Sequence, residues 1–314
     1  MSVPVALVVF LVSLAVTLAA AQFFARRLDR LGVRFGLPEA LIGLLTALAA
    51  DGPEISSALF ALLKGVHSVS VGVLVGSNTF NIAAMLGVSA LLAGRVRAAR
   101  ATLAAEGTVG GVITLLAAAA LVGWLSPALT AVLAAAAVTP YLVWITRGAA
   151  GIRTPKSPSE SSAVSDSPTH HLLALVVLDV ALIIAGSFGM VQAALTLGAA
   201  WHISSPVLGV VLLGPLTSIP NAQTAIRLGL ADRGEALVGE MLNSNTINLG
   251  VGVIVPGLFV TLAAGTAKAK AELLWLIGMT VVAMLGLLWR GGLRRVGAVT
   301  LVALYAGFVV LALT

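Results

Sequence analysis

The chain has 314 residues, of which 59% are hydrophobic and 10% charged, with a formal net charge of +6 and no cysteine. A soluble domain carries about 25% charged residues; at this composition a soluble globule would expose apolar patches large enough to aggregate, so a soluble enzyme is excluded. The missing cysteine excludes disulfides, thiolate metal sites and cysteine nucleophiles, and leaves any cation chemistry to oxygen ligands.

Each bilayer crossing takes about 20 apolar residues. The apolar runs predict ten spans, near 2–24, 35–63, 69–93, 102–123, 127–146, 172–197, 204–227, 236–262, 271–289 and 295–313. The first ends in an Ala-rich stretch before Gln22, as a signal peptide would. It has no basic leading region, however, and outruns the usual apolar core of one. Sorting the 18 Lys and Arg residues by span parity puts Arg26, Arg27, Arg30, Arg34, Arg95, Arg97, Arg100, Arg147, Arg153, Lys156, Arg227, Arg233, Arg290, Arg294 and Arg295 on one side, and only Lys64, Lys268 and Lys270 on the other. The positive-inside rule then predicts a multi-pass protein of the inner (cell) membrane with both termini outside. The positive charge therefore describes topology, and no nucleic-acid partner is expected.

Between the fifth and sixth spans, 148–171 carries Pro155, Pro158, Pro168 and a run of serines, a composition that cannot bury a core and reads as a flexible cytoplasmic linker. It separates a first five-span half, 1–147, from a second, 172–314. With an odd number of spans in each, similar halves lie upside down relative to one another, the inverted-repeat plan of many secondary transporters.

The halves are similar at a constant offset of 167 residues. Pro53-Glu54, Val71-Gly72 and Gly76-Ser77-Asn78-Thr79-Phe80-Asn81 in the first match Pro220-Asn221, Val238-Gly239 and Asn243-Ser244-Asn245-Thr246-Ile247-Asn248 in the second. With Ala49-Ala50-Asp51-Gly52 before Pro53 and Leu216-Thr217-Ser218-Ile219 before Pro220, this pattern resembles the two alpha repeats of the calcium/cation antiporter superfamily, whose best-known members are sodium/calcium exchangers. The resemblance spans the entire chain and implies an all-α polytopic membrane protein: ten transmembrane helices in two inverted five-helix repeats, with broken helices at the centre. It further implies that Glu54, Asn81, Asn221 and Asn248 line a central ion site, with Ser77, Ser244, Thr217 and Ser218 nearby. Three departures stand out: Asn221 replaces a glutamate, Asn248 replaces the acidic residue common at that position, and Ala50-Asp51 replaces Thr-Ser.

The residues themselves point the same way. A proline inside a span removes a backbone donor and displaces the carbonyl four residues back, which is tolerated at membrane depth only where the freed groups line a cavity or find a partner. Pro53 and Pro220 therefore mark candidate cavities. Asp51 and Glu54, three residues apart, share one helix face, and an intramembrane carboxylate is a functional-site hypothesis by default. Two ionised carboxylates at close range repel unless a cation or a proton neutralises them, so ions and protons compete for one charge reservoir. Asn81, Asn248, Ser77, Ser244, Thr217 and Ser218 supply neutral oxygens suited to hard cations. Two carboxylates balance one divalent ion or two monovalent ions, which argues against a multi-sodium stoichiometry. Glu240, four residues before Ser244, is either a third carboxylate in the inner vestibule or an interfacial residue paired with Arg233 or water.

Asn78 and Asn245 are either ligands or interhelical hydrogen-bond glue. Asp179, deep in the sixth span, is either structural or a proton-access group, and Glu39 and Glu106 are expected at the interface. None of His67, His202, His170 and His171 is placed for a central ion. Trp124, Trp144, Trp201, Trp275 and Trp289 fit an interfacial belt. The expected function is secondary-active cation antiport, Ca²⁺ or a related cation against Na⁺ or H⁺, with no cofactor and a monomeric chain. The alternatives are monovalent Na⁺/H⁺ exchange, or a channel-like or non-transporting scaffold. With no His-rich metal motif and no nucleophile beside a base, an intramembrane enzyme is the weakest reading.

Overall fold

The computed structural model describes residues 1–37, 39–148, 168–262, 266–289 and 292–314, with the side chains of 39–43 and 144–148 outside the description. Linker residues 149–167, with Arg153 and Lys156, and also Arg290, lie outside the described residues. Within them the regular structure is helical except for one pair of two-residue strands.

The first half runs α1 (Val3–Arg34), α2 (Glu39–Ala50), α3 (Gly52–Leu63) and α4 (His67–Asn81). A π-helical segment (Ile82–Val88) carries α4 into α5 (Ser89–Ala93). Strand β1 (Arg95–Val96), α6 (Arg100–Val122) and α7 (Pro127–Gly148) follow. The second half runs α8 (Thr169–Ala200), α9 (Ser205–Val207), a π-helical segment (Leu208–Leu213), α10 (Gly214–Thr217), α11 (Ile219–Leu230) and α12 (Gly234–Leu249). After a third π-helical segment (Gly250–Ile254) come α13 (Val255–Gly257), α14 (Ala267–Leu288), β2 (Leu293–Arg294) and α15 (Arg295–Leu313).

Among the described residues, six helices are long and apolar enough to cross a bilayer: α1, the α4–α5 rod, α6, α8, α14 and α15. The α9–α10 segment and α11 form a bent apolar pair, with 46° between its parts, either a broken span or a re-entrant loop. The remaining expected spans coincide with α2 and α3, interrupted at Asp51; with α7, which contains Pro140; and with α12 running through its π-helical segment into α13. Over the first expected span, 2–24, α1 runs on as a helix to Arg34, with Arg26, Arg27 and Arg30 on its last turns. Long arginine stems along a helix reach a polar partner without unwinding it, and Arg27 does so by pairing with Asp179 of α8.

Burial is inverted relative to a water-soluble protein. Phe259, Trp124 and Val296 are more than four-fifths exposed, whereas Asp51, Glu54, Asn81 and Ser218 have no exposed surface. Trp201 and Trp289 are also exposed at helix ends, as a belt requires. Trp275 departs from that expectation, because its indole N–H donates to the Leu304 carbonyl of α15 at 3.0 Å; its ring joins two helices.

Small residues let the central helices approach backbone to backbone. A Cβ on Gly76 of α4 would lie 2.3 Å from the Val210 carbonyl oxygen, and one on Gly214 would lie 2.7 Å from the Ser77 amide. The glycine that opens the first Gly-Ser-Asn motif is therefore there to admit the bent helix α9–α11. At one end of the bundle, β1 and β2 pair antiparallel, with Arg95 opposite Arg294 and Val96 opposite Leu293. Gly292, at φ +80°, sits where a Cβ would be 2.3 Å from the Val96 carbonyl. Gly234 packs on the Arg97 carbonyl beside them, so three arginine-bearing connections meet at one end.

Candidate cation site

Asp51 and Ser218, 167 residues apart, occupy the two helix interruptions with nearly the same backbone: φ −80° and ψ −1° for Asp51, φ −85° and ψ 0° for Ser218. Within the expected spans 35–63 and 204–227, Pro53 and Pro220 stand in the first turns of α3 and α11, where a missing N–H costs nothing. The interruptions fall just before them.

At these breaks the two halves exchange hydrogen bonds. Asn221 Nδ2 donates to Asp51 Oδ1 at 2.8 Å and reaches Glu54 Oε1 at 3.4 Å. Ser218 Oγ donates to Glu54 Oε1 at 2.8 Å, and Ser244 Oγ donates to Asp51 Oδ1 at 2.6 Å. Asn81 Nδ2 donates to Ser244 Oγ at 3.0 Å and to Asn245 Oδ1 at 3.3 Å, and Asn248 Nδ2 donates to Asn78 Oδ1 at 3.1 Å. Both carboxylates thus belong to the first half, while the hydroxyl and amide donors that hold them come from the second. Each amide spends its N–H on an acceptor, so its carbonyl oxygen must point elsewhere.

The result is five buried oxygens without a hydrogen-bond partner: Asp51 Oδ2, Glu54 Oε2, Asn81 Oδ1, Asn221 Oδ1 and Asn248 Oδ1. Buried acceptors are costly when unpaired, and two carboxylates with no basic partner among the described residues cannot both stay ionised without a positive counter-charge. Oxygens from carboxylates and amides are the ligands of hard cations, which take six to eight of them in the case of Ca²⁺. The unpartnered oxygens are thus of the chemical kind that a hard cation takes.

The other expected site residues separate into groups. Ser77 Oγ donates to Leu74 O at 3.1 Å, and Thr217 Oγ1 to Leu213 O at 2.9 Å and Gly214 O at 3.0 Å. Both are buried, but neither hydrogen-bonds a carboxylate. Asn78 and Asn245 act as glue: each Nδ2 donates to the other's backbone carbonyl at 3.2 Å, clamping α4 to α12. Glu240 is half-buried and lies close enough to Asp51 for their charges to act on each other, and it makes no ion pair with Arg233. Asp179 is taken up by Arg27, which also donates to the Leu175 carbonyl at 3.3 Å.

Glu106, expected at the interface, is half-buried near the start of α6. Its Oε2 is buried and unpartnered, its carboxyl lies against Gly239 of α12, and Tyr141 of α7 is hydrogen-bonded to it. Tyr141, which also donates to Asn243 Oδ1 of α12 at 3.1 Å, belongs to no motif. The available signal was Asn243 itself, an amide at the position where the first repeat has Gly76. The π-helical segments also went unread. Two of them begin directly after Asn81 and Leu249, and such bulges recur at functional sites.

The model for the family described as "sodium/calcium exchanger protein" matches residues 5–147 and 171–314. CaxA of Alkalimonas amylolytica, an antiporter by name, is 25% identical over 310 residues, covering 94% of this chain and 93% of that one. Sodium/calcium exchanger MaX1 of Methanosarcina acetivorans is 29% identical over 85 residues, 27% of this chain and 24% of that one. A solved structure of the sodium-calcium exchanger NCX_Mj superposes with a TM-score of 0.68 at 20% identity, covering 98% of this chain and 99% of that one. That likeness is one of fold.

Proposed function

Because the chain belongs to the sodium/calcium exchanger protein family, we propose that it is a secondary-active antiporter carrying Ca²⁺ or a related cation against Na⁺ or H⁺. The observation that carries this reading is the set of five unpartnered buried oxygens, on Asp51, Glu54, Asn81, Asn221 and Asn248. Asp51, Glu54, Asn81, Asn221 and Asn248 are the direct ligands. Ser218 and Ser244 orient the carboxylates, and Ser77 and Thr217 form the next layer. Glu240 lies on the approach to the site.

Alternating access at this site uses two inverted halves of five spans. Supporting it, α1 and α8 are both 32 residues long, α3 and α11 are both 12, and α6 and α14 begin at Arg100 and Ala267, again 167 apart. The end where β1, β2 and Gly234 meet is cytoplasmic, in keeping with its arginines, which leaves both termini outside the cell membrane.

The charge count limits what is carried per cycle. Two carboxylates neutralise one divalent ion, or one monovalent ion and one proton. The absence of a carboxylate at Asn221 and Asn248 keeps monovalent Na⁺/H⁺ exchange as the second reading. Flux into proteoliposomes of purified protein, scanning Ca²⁺, Na⁺, Mg²⁺ and Mn²⁺ under imposed Na⁺ and H⁺ gradients, separates the two. Gradient-driven Ca²⁺ uptake that is lost in Glu54→Gln and Asp51→Asn supports the first; exchange unchanged in both variants rejects the site.

A further inference from the structure

At the end of the bundle where β1 meets β2, the ladder sets like charges against each other. Val96 and Leu293 turn inward and are buried, so Arg95 and Arg294 stand on the outer face of the same two-residue pair. Being directly opposite in the register, these two have Cβ atoms roughly 5 Å apart. Arg295 closes the group. Its guanidinium lies over Gly94, with Nη2 3.9 Å and Nε 4.0 Å from where a Cβ of that glycine would be. All three arginines are exposed, and none makes an ion pair with a carboxylate among the described residues.

The neighbouring sequence supplies no acid to offset them. From Gly94 to Ala105 and from Leu273 to Thr314 the chain contains neither Asp nor Glu. The start of α12, which reaches this end through Gly234 on Arg97, brings two carboxylates. Glu235 accepts from Thr102 at 2.5 Å, and Asp232 is exposed without an ion pair. Cytoplasmic connections carry arginine as a rule, yet that rule asks only for scattered charges, not for two facing each other across a ladder. Directly opposed like charges weaken a strand pair, and Arg294 and Arg295 also stand where α15 begins, at the helix end that disfavours a cation. Three guanidinium forks gathered in this way fit a phosphate, whose oxygens accept bidentate bonds from arginine.

The level of the cluster identifies where that phosphate comes from. The helix α15 runs 19 residues from Arg295. At 1.5 Å per residue that is about 28 Å, close to a hydrocarbon core of roughly 30 Å. Arg295 therefore stands at headgroup level. Val296, the next residue, and Val299 are exposed, as is Leu92 near the end of α5, which packs on α15. These apolar side chains, on helices that begin or end at the arginines, offer acyl chains a surface directly beneath the phosphate.

We propose that Arg95, Arg294 and Arg295 bind the phosphate headgroup of an anionic phospholipid, seated on the β1–β2 pair with its acyl chains along α5 and α15. The proposal stands independently of the antiporter reading. Native mass spectrometry of the full chain in detergent, titrated with phosphatidylglycerol or phosphatidylcholine, tests it. Wild type retains one phosphatidylglycerol in clear preference to phosphatidylcholine. Arg95→Gln with Arg294→Gln weakens that binding roughly thirtyfold, from the worth of two arginines at an anionic headgroup. Lys268→Gln with Lys270→Gln removes the same charge from the start of α14 and leaves binding near wild type. In lipid-free detergent the arginine double variant unfolds at or above the wild-type temperature, because a repulsion has been relieved.

Equal retention of the two lipids by wild type overturns the proposal, as does a loss below threefold in the arginine variant or an equal loss in the lysine variant. Complete displacement of phosphatidylglycerol by millimolar inorganic phosphate marks a site for soluble anions and also overturns it. So does a lower unfolding temperature of the arginine variant without lipid, which shows guanidiniums already satisfied within the protein. If that variant does not fold, Arg295→Gln, outside the ladder, decides: unchanged phosphatidylglycerol binding there counts against the proposal.

Discussion

Moving the charge of Asp51 across its hydrogen bond to Asn221 tests the cation site in atomic detail. In Asp51→Asn, the carboxamide oxygen keeps the donors now on Oδ1, Asn221 at 2.8 Å and Ser244 at 2.6 Å. Its NH₂ then takes the place of Oδ2, so one of the five free oxygens becomes a donor and one of the two negative charges is lost. Removing one partner of a buried charge pair costs about 3–5 kcal/mol, roughly a hundred- to a few-thousand-fold in affinity at 1.4 kcal/mol per tenfold. The double variant Asp51→Asn with Asn221→Asp returns the charge to the other end of the same contact. It also brings a carboxylate near Glu54 Oε1, where Asn221 Nδ2 now lies at 3.4 Å, so recovery should stop about tenfold short of wild type. Equilibrium ⁴⁵Ca²⁺ binding to detergent-solubilised protein reads both variants. Less than a threefold loss in the single variant, or a double variant no stronger than the single, would refute the reasoning.

Three further outcomes follow from the packing. Asn78→Ala and Asn245→Ala each break a reciprocal clamp rather than a ligand, so thermal unfolding in detergent should show a loss of about 1–2 kcal/mol, with cation affinity changed less than threefold. Gly76→Ala puts a Cβ 2.3 Å from the Val210 carbonyl and should cost about 1–3 kcal/mol of stability through overpacking; Gly111→Ala, where a Cβ meets nothing within 4 Å, serves as the control that stays near wild type. Arg27→Ala leaves Asp179 buried and unpaired and should destabilise by more than the double variant Arg27→Ala with Asp179→Ala. Additive losses in the same unfolding assay would show that the pair is not coupled.

The parts of this structure legible in the sequence are those with a period or a repeat. Apolar runs located the helical segments, and the resemblance to the antiporter repeats implied a shared site for Glu54, Asn221 and Ser218, with Asp51 on the helix face of Glu54. Other features leave no periodic trace. The continuation of α1 to Arg34 depends on Arg27 finding Asp179 on another helix. The β1–β2 pair is two residues long on each side, too short for an alternation to register. The helix interruptions fall at Asp51 and Ser218 because a proline is harmless in a first turn, whereas composition alone suggests a break at the proline itself. Whether an intramembrane asparagine is a ligand or a clamp is decided by its acceptor: Asn248 keeps a free carbonyl oxygen, while Asn78 spends its carbonyl oxygen on Asn248 and its amide on the Asn245 backbone. Tyr141 and Asn243 are 102 residues apart, and only their helices' packing makes them neighbours.

The central claim is that Asp51 and Glu54, with the amide oxygens around them, hold the transported cation. The stoichiometry of ⁴⁵Ca²⁺ binding to purified wild type and to the Asp51→Asn, Glu54→Gln double variant tests it directly. One divalent ion per chain, displaced by Na⁺ or acid and absent from a double variant that remains folded, is the predicted result. Undiminished Ca²⁺ binding in that variant would contradict the account.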